Sequence, residues 1–322
     1  MKAIVVEGEH LNWTEVADEA CGVGQVRIRN VATAINRADL VQRAGGYPPP
    51  PGASPIMGLE CAGEVIEVGE GVSRVAAGDR VCALLAGGGY AEEVVVPAGQ
   101  VLPAPAGLDL VDAAALPEVF ATAYLNLYME AGLQPGEKVV LHAGASGVGT
   151  AAIQMLKASH NPCFVTAGNE EKIARCVALG ADGGHCRYDG EFLPALRAWA
   201  GEAGVDVVLD PVGAQYLSDN LAALGLGGRL VLIGLMGGAQ TQINLGALMM
   251  KRVRVIGSTL RARPIAEKAA VMQALQEHIW PAIAAGEIQP VIETRFAIEE
   301  AEAAHALVAG NNTVGKVLLT LA

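Results

Sequence analysis

A glycine-rich turn, HAGASGVGT at 142–150, limits the folds open to this chain more than any other segment. It follows an apolar run typical of a strand, 138–141, and precedes an alanine-rich helical pattern. Gly144, Ser146 and Gly149 occupy the three positions of a G-x-G-x-x-G fingerprint, with serine in place of the second glycine. Together with the next apolar run, PCFVTAG, the segment predicts a βαβ unit.

The same alternation continues through the middle of the chain. Six apolar runs predict strands, and helical patterns lie between them, such as NEEKIARCVAL closed by Gly180. Strands that alternate with helices form a parallel, doubly wound sheet. We therefore expect an α/β fold with a Rossmann domain over 123–261.

The flanking segments predict a second domain. The first 100 residues contain short strands and glycine turns, which are typical of a small barrel or sandwich. The segment 262–322 is too short to fold alone, so we expect it to complete the domain formed by 1–122, with the Rossmann domain inserted. The proline run 48–51 predicts a stiff surface loop beside Tyr47.

Charge and cysteine content argue against several partners and sites. With 34 acidic and 22 basic residues the net charge is −12, which disfavours nucleic acid and anionic membranes. No apolar run is long enough to cross a bilayer, and the N-terminus lacks the pattern of a secretory signal. Six scattered cysteines without metal-ligand spacing predict reduced thiols. We expect a cytoplasmic protein.

The glycine turn carries the main functional prediction. Its glycines allow a tight bend and close packing of the helix on the sheet, and the amides of the helix N-terminus favour a pyrophosphate. The turn as a whole is the predicted pyrophosphate site: Gly144, Ala145, Ser146, Gly147, Val148 and Gly149.

Cofactor choice depends on the end of the second strand, where an Asp or Glu would bind the ribose 2′-hydroxyl of NAD. Here the strand CFVTA runs into Gly168, and Lys172 follows in the next helix. Tyr188, after the third strand, could add a hydroxyl donor. These residues favour the 2′-phosphate of NADPH. The alternative is that Lys172 is only a solvated residue of the first helical turn.

The chain resembles the zinc-free quinone oxidoreductases, the zeta-crystallin-like branch of the medium-chain dehydrogenase/reductase superfamily, and among them the tumour-suppressor-inducible type. The resemblance runs almost end to end, and its most specific parts are the proline loop and GLMGG: NRADLVQRAGGYPPPPGASPIMGLECAGEV, ALPEVFATAY, HAGASGVGTAAIQ, LDPVG, GLMGG and NNTVGKVLLTL. It implies a GroES-like β-barrel catalytic domain with an inserted Rossmann domain, NADPH as hydride donor, and a homodimer.

The resemblance also implies site residues. It assigns Asn36 to the nicotinamide amide or the substrate oxygen, Tyr47 to the wall over the nicotinamide, and Thr122 to the nicotinamide ribose or carboxamide. Taken alone, the three would be a turn-capping amide, an exposed loop aromatic and a residue of a helix N-terminus. Four further residues are expected near the nicotinamide or the C-terminal side of the site: Leu235, Met236, Gly237 and Asn312.

The resemblance bears on the chemistry as well. Zinc-dependent members of the superfamily place ligands where this chain has Gly58-Leu59-Glu60 and Asn36-Arg37-Ala38-Asp39, so we expect no catalytic metal. Alcohol oxidation needs Lewis-acid help, whereas a reduced quinone is a delocalised anion that can take its proton from water. We therefore predict NADPH-dependent quinone reduction, with a small quinone or conjugated carbonyl as the partner. The alternatives are an alkenal or enone double-bond reductase and a non-catalytic NADPH-binding protein.

Two other polar residues are expected to have mainly structural roles. His142, at the end of the first Rossmann strand, is predicted to be a packed histidine rather than a general base. Asp210, before Pro211, is predicted to be a turn residue that could touch the ribose.

Overall fold

The structure, a computed structural model, describes residues 1–8 and 10–321. The chain divides into two compact units. Unit 1 contains Met1–Ala121 and Leu260–Ala322, and unit 2 contains Thr122–Thr259.

The strands follow the chain as β1 (Lys2–Glu7), β2 (His10–Glu15), β3 (Gln25–Ala34), β4 (Glu60–Val68), β5 (Arg80–Leu84), β6 (Glu93–Pro97), β7 (Val101–Pro103), β8 (Val139–Leu141), β9 (Cys163–Ala167), β10 (Gly183–Cys186), β11 (Val205–Asp210), β12 (Leu224–Leu232), β13 (Arg254–Gly257), β14 (Ile292–Ala297) and β15 (Lys316–Thr320).

The α-helices are α1 (Arg37–Arg43), α2 (Leu110–Ala113), α3 (Pro117–Tyr124), α4 (Gly147–Ala158), α5 (Glu170–Leu179), α6 (Phe192–Ala200), α7 (Leu217–Ala223), α8 (Leu245–Lys251), α9 (Ile265–His278), α10 (Trp280–Ala284) and α11 (Ala301–Ala309). A π-helical turn, Leu125–Glu130, follows α3.

Unit 2 is a doubly wound α/β unit. Its six strands are parallel and lie in the order β10-β9-β8-β11-β12-β13. All five residues of β9 are buried, as expected for a parallel strand covered by helices on both faces. The strand order reverses beside β8, which places the carboxyl ends of β8 and β11 at the topological switch point. The predicted Rossmann sheet is confirmed.

Unit 1 contains a seven-stranded sheet. Its strands lie in the order β14-β15-β3-β4-β5-β7, with β6 also paired to β3, and β1 and β2 form a separate antiparallel pair. Alternate residues of β3, such as Val26 and Ile28, are fully buried in an apolar core. The C-terminal strand β15 pairs with β3 through Leu318 and Ala34, which ties the end of the chain to this sheet.

Five of the six cysteines are buried, Cys21 is half-buried, and all six are free thiols. Within the described residues, no helix has the length and apolar character needed to span a membrane.

Candidate active site

The glycine turn of unit 2 is built so that its serine begins the helix. Ser146 is the N-cap of α4, and its Oγ accepts a hydrogen bond of 3.1 Å from the Gly149 amide. A Cβ on Gly144 would lie 2.6 Å from Cβ of Val165, and a Cβ on Gly149 would lie 2.3 Å from the Gly144 oxygen. The serine therefore replaces glycine where a cap is useful, while the two packing glycines are sterically required.

This turn fits the pyrophosphate of a dinucleotide. The amides of Gly147 and Val148, in the first turn of α4, have no hydrogen-bond acceptor among residues 1–8 and 10–321. They point out of the positive end of a helix of 12 residues, where a phosphate is favoured. The close approach at Gly144 and Gly149 leaves the backbone, rather than side chains, to meet the ligand.

The end of β9 carries cations that suit a 2′-phosphate. A Cβ on Gly168 would lie 4.0 Å from Nε of Arg187. Arg187 follows β10, donates to the Tyr188 hydroxyl at 2.6 Å, and places its guanidinium 4.7 Å from the centre of the tyrosine ring. Both side chains are exposed, and Lys172 lies in the first turn of α5, which Asn169 caps.

Sequence reasoning selected Tyr188 but missed Arg187, its neighbour after the same strand. Two carboxylates, Glu170 and Asp189, also lie here, with oxygens within 4.8 Å of the Cys186 Sγ. The cations favour a phosphate, whereas the carboxylates favour ribose hydroxyls.

A buried hydrogen-bond chain holds the strand ends of unit 2 together. His142 contacts the Thr166 hydroxyl at 3.0 Å and the Asn220 amide oxygen at 2.7 Å, and Asn220 donates to Asp210 at 2.9 Å. Burial lowers the pKa of His142 to about 4, so the imidazole is neutral. Burial raises the pKa of Asp210 to about 6, although the Val212 amide donates to its carboxylate. Both side chains are engaged within the unit.

The loop after β12 presents an apolar surface. Leu235 and Met236 are 57% and 52% exposed, and the Gly237 amide donates to the Val212 oxygen at 2.7 Å. This bond ties the loop to the segment that follows β11.

Thr122 lies in α3. Its main-chain oxygen accepts a hydrogen bond from the Asn126 side chain, and its hydroxyl takes no part in that contact.

Unit 1 contains a buried polar cluster around Asn36. Lys316 and Glu60 are 4% and 0% exposed and form an ion pair of 2.8 Å. The Asn36 amide nitrogen donates to Glu60 at 2.9 Å, and its oxygen accepts from Lys316 at 2.6 Å. The second amide proton goes to the Ala34 oxygen, and Lys316 also donates to the Ile35 oxygen. Asn36 is thus fixed in orientation, with one oxygen lone pair left for a ligand.

Tyr47 is held beside this cluster by a buried arginine. Arg261 donates to the Tyr47 main-chain oxygen at 3.1 Å, and its guanidinium lies 5.2 Å from the centre of the Tyr47 ring. It also donates to the Ala86 oxygen and to the Gln42 side chain. Burial, and then the charge of Glu118, raise the pKa of Tyr47. The cation–π contact restricts the orientation of the Tyr47 ring.

The structure brings Asn36 and Tyr47 into one region of unit 1 and gathers the glycine turn, Gly168 and Tyr188 along the strand ends of unit 2. Asn312 is different: it lies in an exposed segment between α11 and β15, away from the contacts of the polar cluster. Sequence reasoning missed the roles of Glu60, Lys316 and Arg261, because no local motif marks an ion pair between distant segments.

Two family models match the chain. The family described as "Alcohol dehydrogenase GroES-like domain" matches residues 22–106, and the family described as "Zinc-binding dehydrogenase" matches residues 147–277. The quinone oxidoreductase of Rattus norvegicus is 31% identical over 302 residues, which are 92% of this chain and 89% of the rat protein.

Two further relatives cover nearly all of the chain. A 2-haloacrylate reductase of a Burkholderia species is 31% identical over 95% of this chain and 94% of its own length. The crystal structure of Escherichia coli quinone oxidoreductase complexed with NADPH is 28% identical, with a TM-score of 0.87 over 99% of this chain and 98% of the other.

Proposed function

Because the chain belongs to the quinone oxidoreductase-like branch of the medium-chain dehydrogenase/reductase superfamily, we propose that it reduces quinones with NADPH and without a catalytic metal. Membership makes it an oxidoreductase with a nicotinamide cofactor. The proposal goes further and places it with the tumour-suppressor-inducible type, on the basis of the proline loop and GLMGG. The free thiols agree with a cytoplasmic location.

The observation that carries the quinone proposal is that the proton donors of Lys316 and Asn36 are already fully used within the protein. All three protons of the Lys316 ammonium and both amide protons of Asn36 have protein acceptors. These two residues therefore offer no free donor to a substrate oxyanion. Such a site suits an acceptor that delocalises its own negative charge after hydride addition, and a quinone does so.

The residues have distinct roles in this proposal. When bound, NADPH supplies the hydride. The Gly147 and Val148 amides hold the pyrophosphate, and the remaining lone pair of the Asn36 oxygen accepts a hydrogen bond from the carboxamide. Leu235 and Met236 provide an apolar surface for the nicotinamide, and Thr122 and Tyr47 keep the roles that the family resemblance implies.

Preference for NADPH is proposed to come from Arg187, together with Lys172 and Tyr188. Charge reversal in Arg187→Glu should raise the Kd of NADPH about tenfold or more and leave that of NADH within about twofold, because a charged hydrogen bond is worth about 1.5–3 kcal/mol. Arg74→Glu, an exposed change in unit 1, is the matched control. Equal losses for both cofactors, measured by fluorescence titration, would reject the 2′-phosphate assignment.

Double-bond reduction is the second candidate function, and it is favoured by the half-buried carboxyl group of Glu118, whose Oε2 is buried beside the polar cluster. The likeness to a 2-haloacrylate reductase supports the same candidate. The deciding experiment follows NADPH oxidation with an ortho-quinone, a para-benzoquinone and a 2-alkenal. Turnover of quinones supports the main proposal, turnover of the alkenal alone supports the second, and tight NADPH binding without turnover would favour a non-catalytic protein.

A homodimer is also proposed, through the free edge of the unit 2 sheet. In the described part of the chain, β13 pairs on one side only, with β12. Helix α8 precedes β13 in the sequence, and its Met249 and Met250 are 77% and 82% exposed. Pairing of β13 with the same strand of a second copy across a twofold axis would cover the free strand edge and these two methionines. Light scattering should give a dimer, and Val255→Lys should give monomers; a monomeric wild-type protein would refute this.

A further inference from the structure

Glu118 is a carboxylic acid of unit 1 with an unsatisfied oxygen. It is the second residue of α3, and its amide donates to the Glu60 carboxylate at 2.8 Å. Its own Oε2 is buried and has no hydrogen-bond partner within residues 1–8 and 10–321. Burying a carboxylate oxygen without a hydrogen-bond donor costs free energy, whereas a protonated carboxyl carries no charge and has a proton to donate to a ligand.

The surroundings of Glu118 favour its neutral form. Burial, and next the nearby Glu60 carboxylate, raise the pKa of Glu118 to about 8, and the effect of Glu60 is larger than the opposing effect of the Lys316 ammonium. Glu60 already supplies the negative charge at the N-terminus of α3, so a second carboxylate there gains little from the helix dipole. The titratable and charged groups that face Glu118 are Asp39, Tyr47, Glu60, Arg261, Lys268 and Lys316.

Glu118 is also the strongest acid in the cluster with a proton to give. The protons of Lys316 and Asn36 are already donated to protein acceptors. The Tyr47 hydroxyl is a weaker acid, because burial raises its pKa above the ordinary value of 10.0. A reduced acceptor next to Asn36 and Tyr47 would therefore meet one ready proton donor.

We propose that Glu118 is the proton donor to the acceptor in the reduction of conjugated carbonyl compounds, an inference that rests on the proposed nicotinamide-dependent reduction. An enone takes a hydride at its β-carbon, and the electron pair of its double bond moves to the oxygen as an enolate. The nicotinamide is oxidised. The Glu118 O–H bond breaks, its proton forms a C–H bond at the α-carbon, and its electron pair stays on the carboxylate, which water reprotonates.

This role predicts different effects on the two classes of acceptor. Protonation of an enolate at carbon is slow, so a positioned acid contributes about 10²–10⁴-fold. Protonation of a hydroquinone anion at oxygen needs no positioned acid, because water is sufficient. Glu118→Gln should therefore lower kcat for an enone at least about 100-fold and kcat for a quinone by less than about threefold.

The test uses a 2-methyl enone, whose α-carbon becomes a stereocentre on protonation. Wild-type protein should give one enantiomer, with kcat falling as the pH rises through about 8. Glu118→Gln should give a near-racemic product at a rate independent of pH, and Glu118→Asp should keep most of the stereoselectivity. Glu299→Gln, an exposed change in the same unit, is the control. An unchanged enantiomer ratio in Glu118→Gln would overturn the proposal.

An infrared measurement on the protein without cofactor separates this inference from the proposed function. A protonated-carboxyl band should be lost between pH 6 and pH 10 in wild-type protein and be absent from the difference spectrum of Glu118→Gln. Its presence in both proteins would overturn the proposal even if the enzyme reduces enones. If wild-type protein reduces neither enones nor quinones, the proposed function fails, and the donor role fails with it.

Discussion

Replacing Lys316 with methionine should destabilise unit 1 by about 4 kcal/mol. The ammonium is 4% exposed and donates to three oxygens, those of Ile35, Asn36 and Glu60. Its removal leaves the Glu60 carboxylate, which is fully buried, without a counter-ion. Breaking such a pair from one side typically costs about 3–5 kcal/mol, so the folding constant should fall roughly a thousandfold.

Urea unfolding can measure this loss in a Trp199→Phe background. Trp13 and Trp280 then report on unit 1 alone, because Trp199 is the tryptophan of unit 2. Lys2→Met, an exposed change in the same unit, is the control.

A double-mutant cycle tests the cause. Adding Glu60→Gln to Lys316→Met should recover about 2 kcal/mol, because the amide leaves no buried charge and can still accept from Asn36. A loss below about 1 kcal/mol for Lys316→Met, or a double variant less stable than Lys316→Met, would refute the reasoning.

Two further predictions concern unit 2. Ser146→Ala should destabilise it by about 1 kcal/mol, because the Gly149 amide loses its cap, and calorimetry should show its Tm lower by about 3 °C; an unchanged Tm would contradict the capping role. Burial lowers the pKa of His142 from 6.5 to about 4, so the unfolded chain takes up a proton on acidification that the folded chain does not. Stability is therefore lost as the pH falls, by about 2 kcal/mol between pH 7 and pH 5 from this group. In urea titrations, the free energy of unfolding of His142→Gln should fall by about 2 kcal/mol less than that of wild type between pH 7 and pH 5. An identical pH dependence of the two proteins would reject the assignment.

Local patterns were sufficient for the Rossmann sheet. The predicted strands of unit 2 correspond to β8–β13, and the helical pattern NEEKIARCVAL, closed by Gly180, corresponds to α5, which ends at Leu179. Gly180 has a φ of +130°, a conformation that side chains rarely adopt. Turn chemistry and apolar runs are local properties, so they are visible without knowledge of the tertiary contacts.

The polar clusters could not be predicted in the same way. Glu60 begins β4 and Lys316 begins β15, and only the pairing of β3 with both strands brings them together. A buried ion pair of this kind has no sequence spacing, since its partners are set by sheet order. Arg187 is different, because its position directly after β10 and beside Tyr188 is visible in the sequence itself.

One carboxylate connects the structural and chemical roles of unit 1. Glu60 fixes the Asn36 amide through one oxygen and caps the first turn of α3 through the other, where it accepts from the Glu118 amide. Because Lys316 neutralises Glu60, the cluster already contains one matched pair of charges. Burial and the Glu60 charge both raise the pKa of Glu118, so the carboxylate that orients Asn36 also favours the protonated form of Glu118.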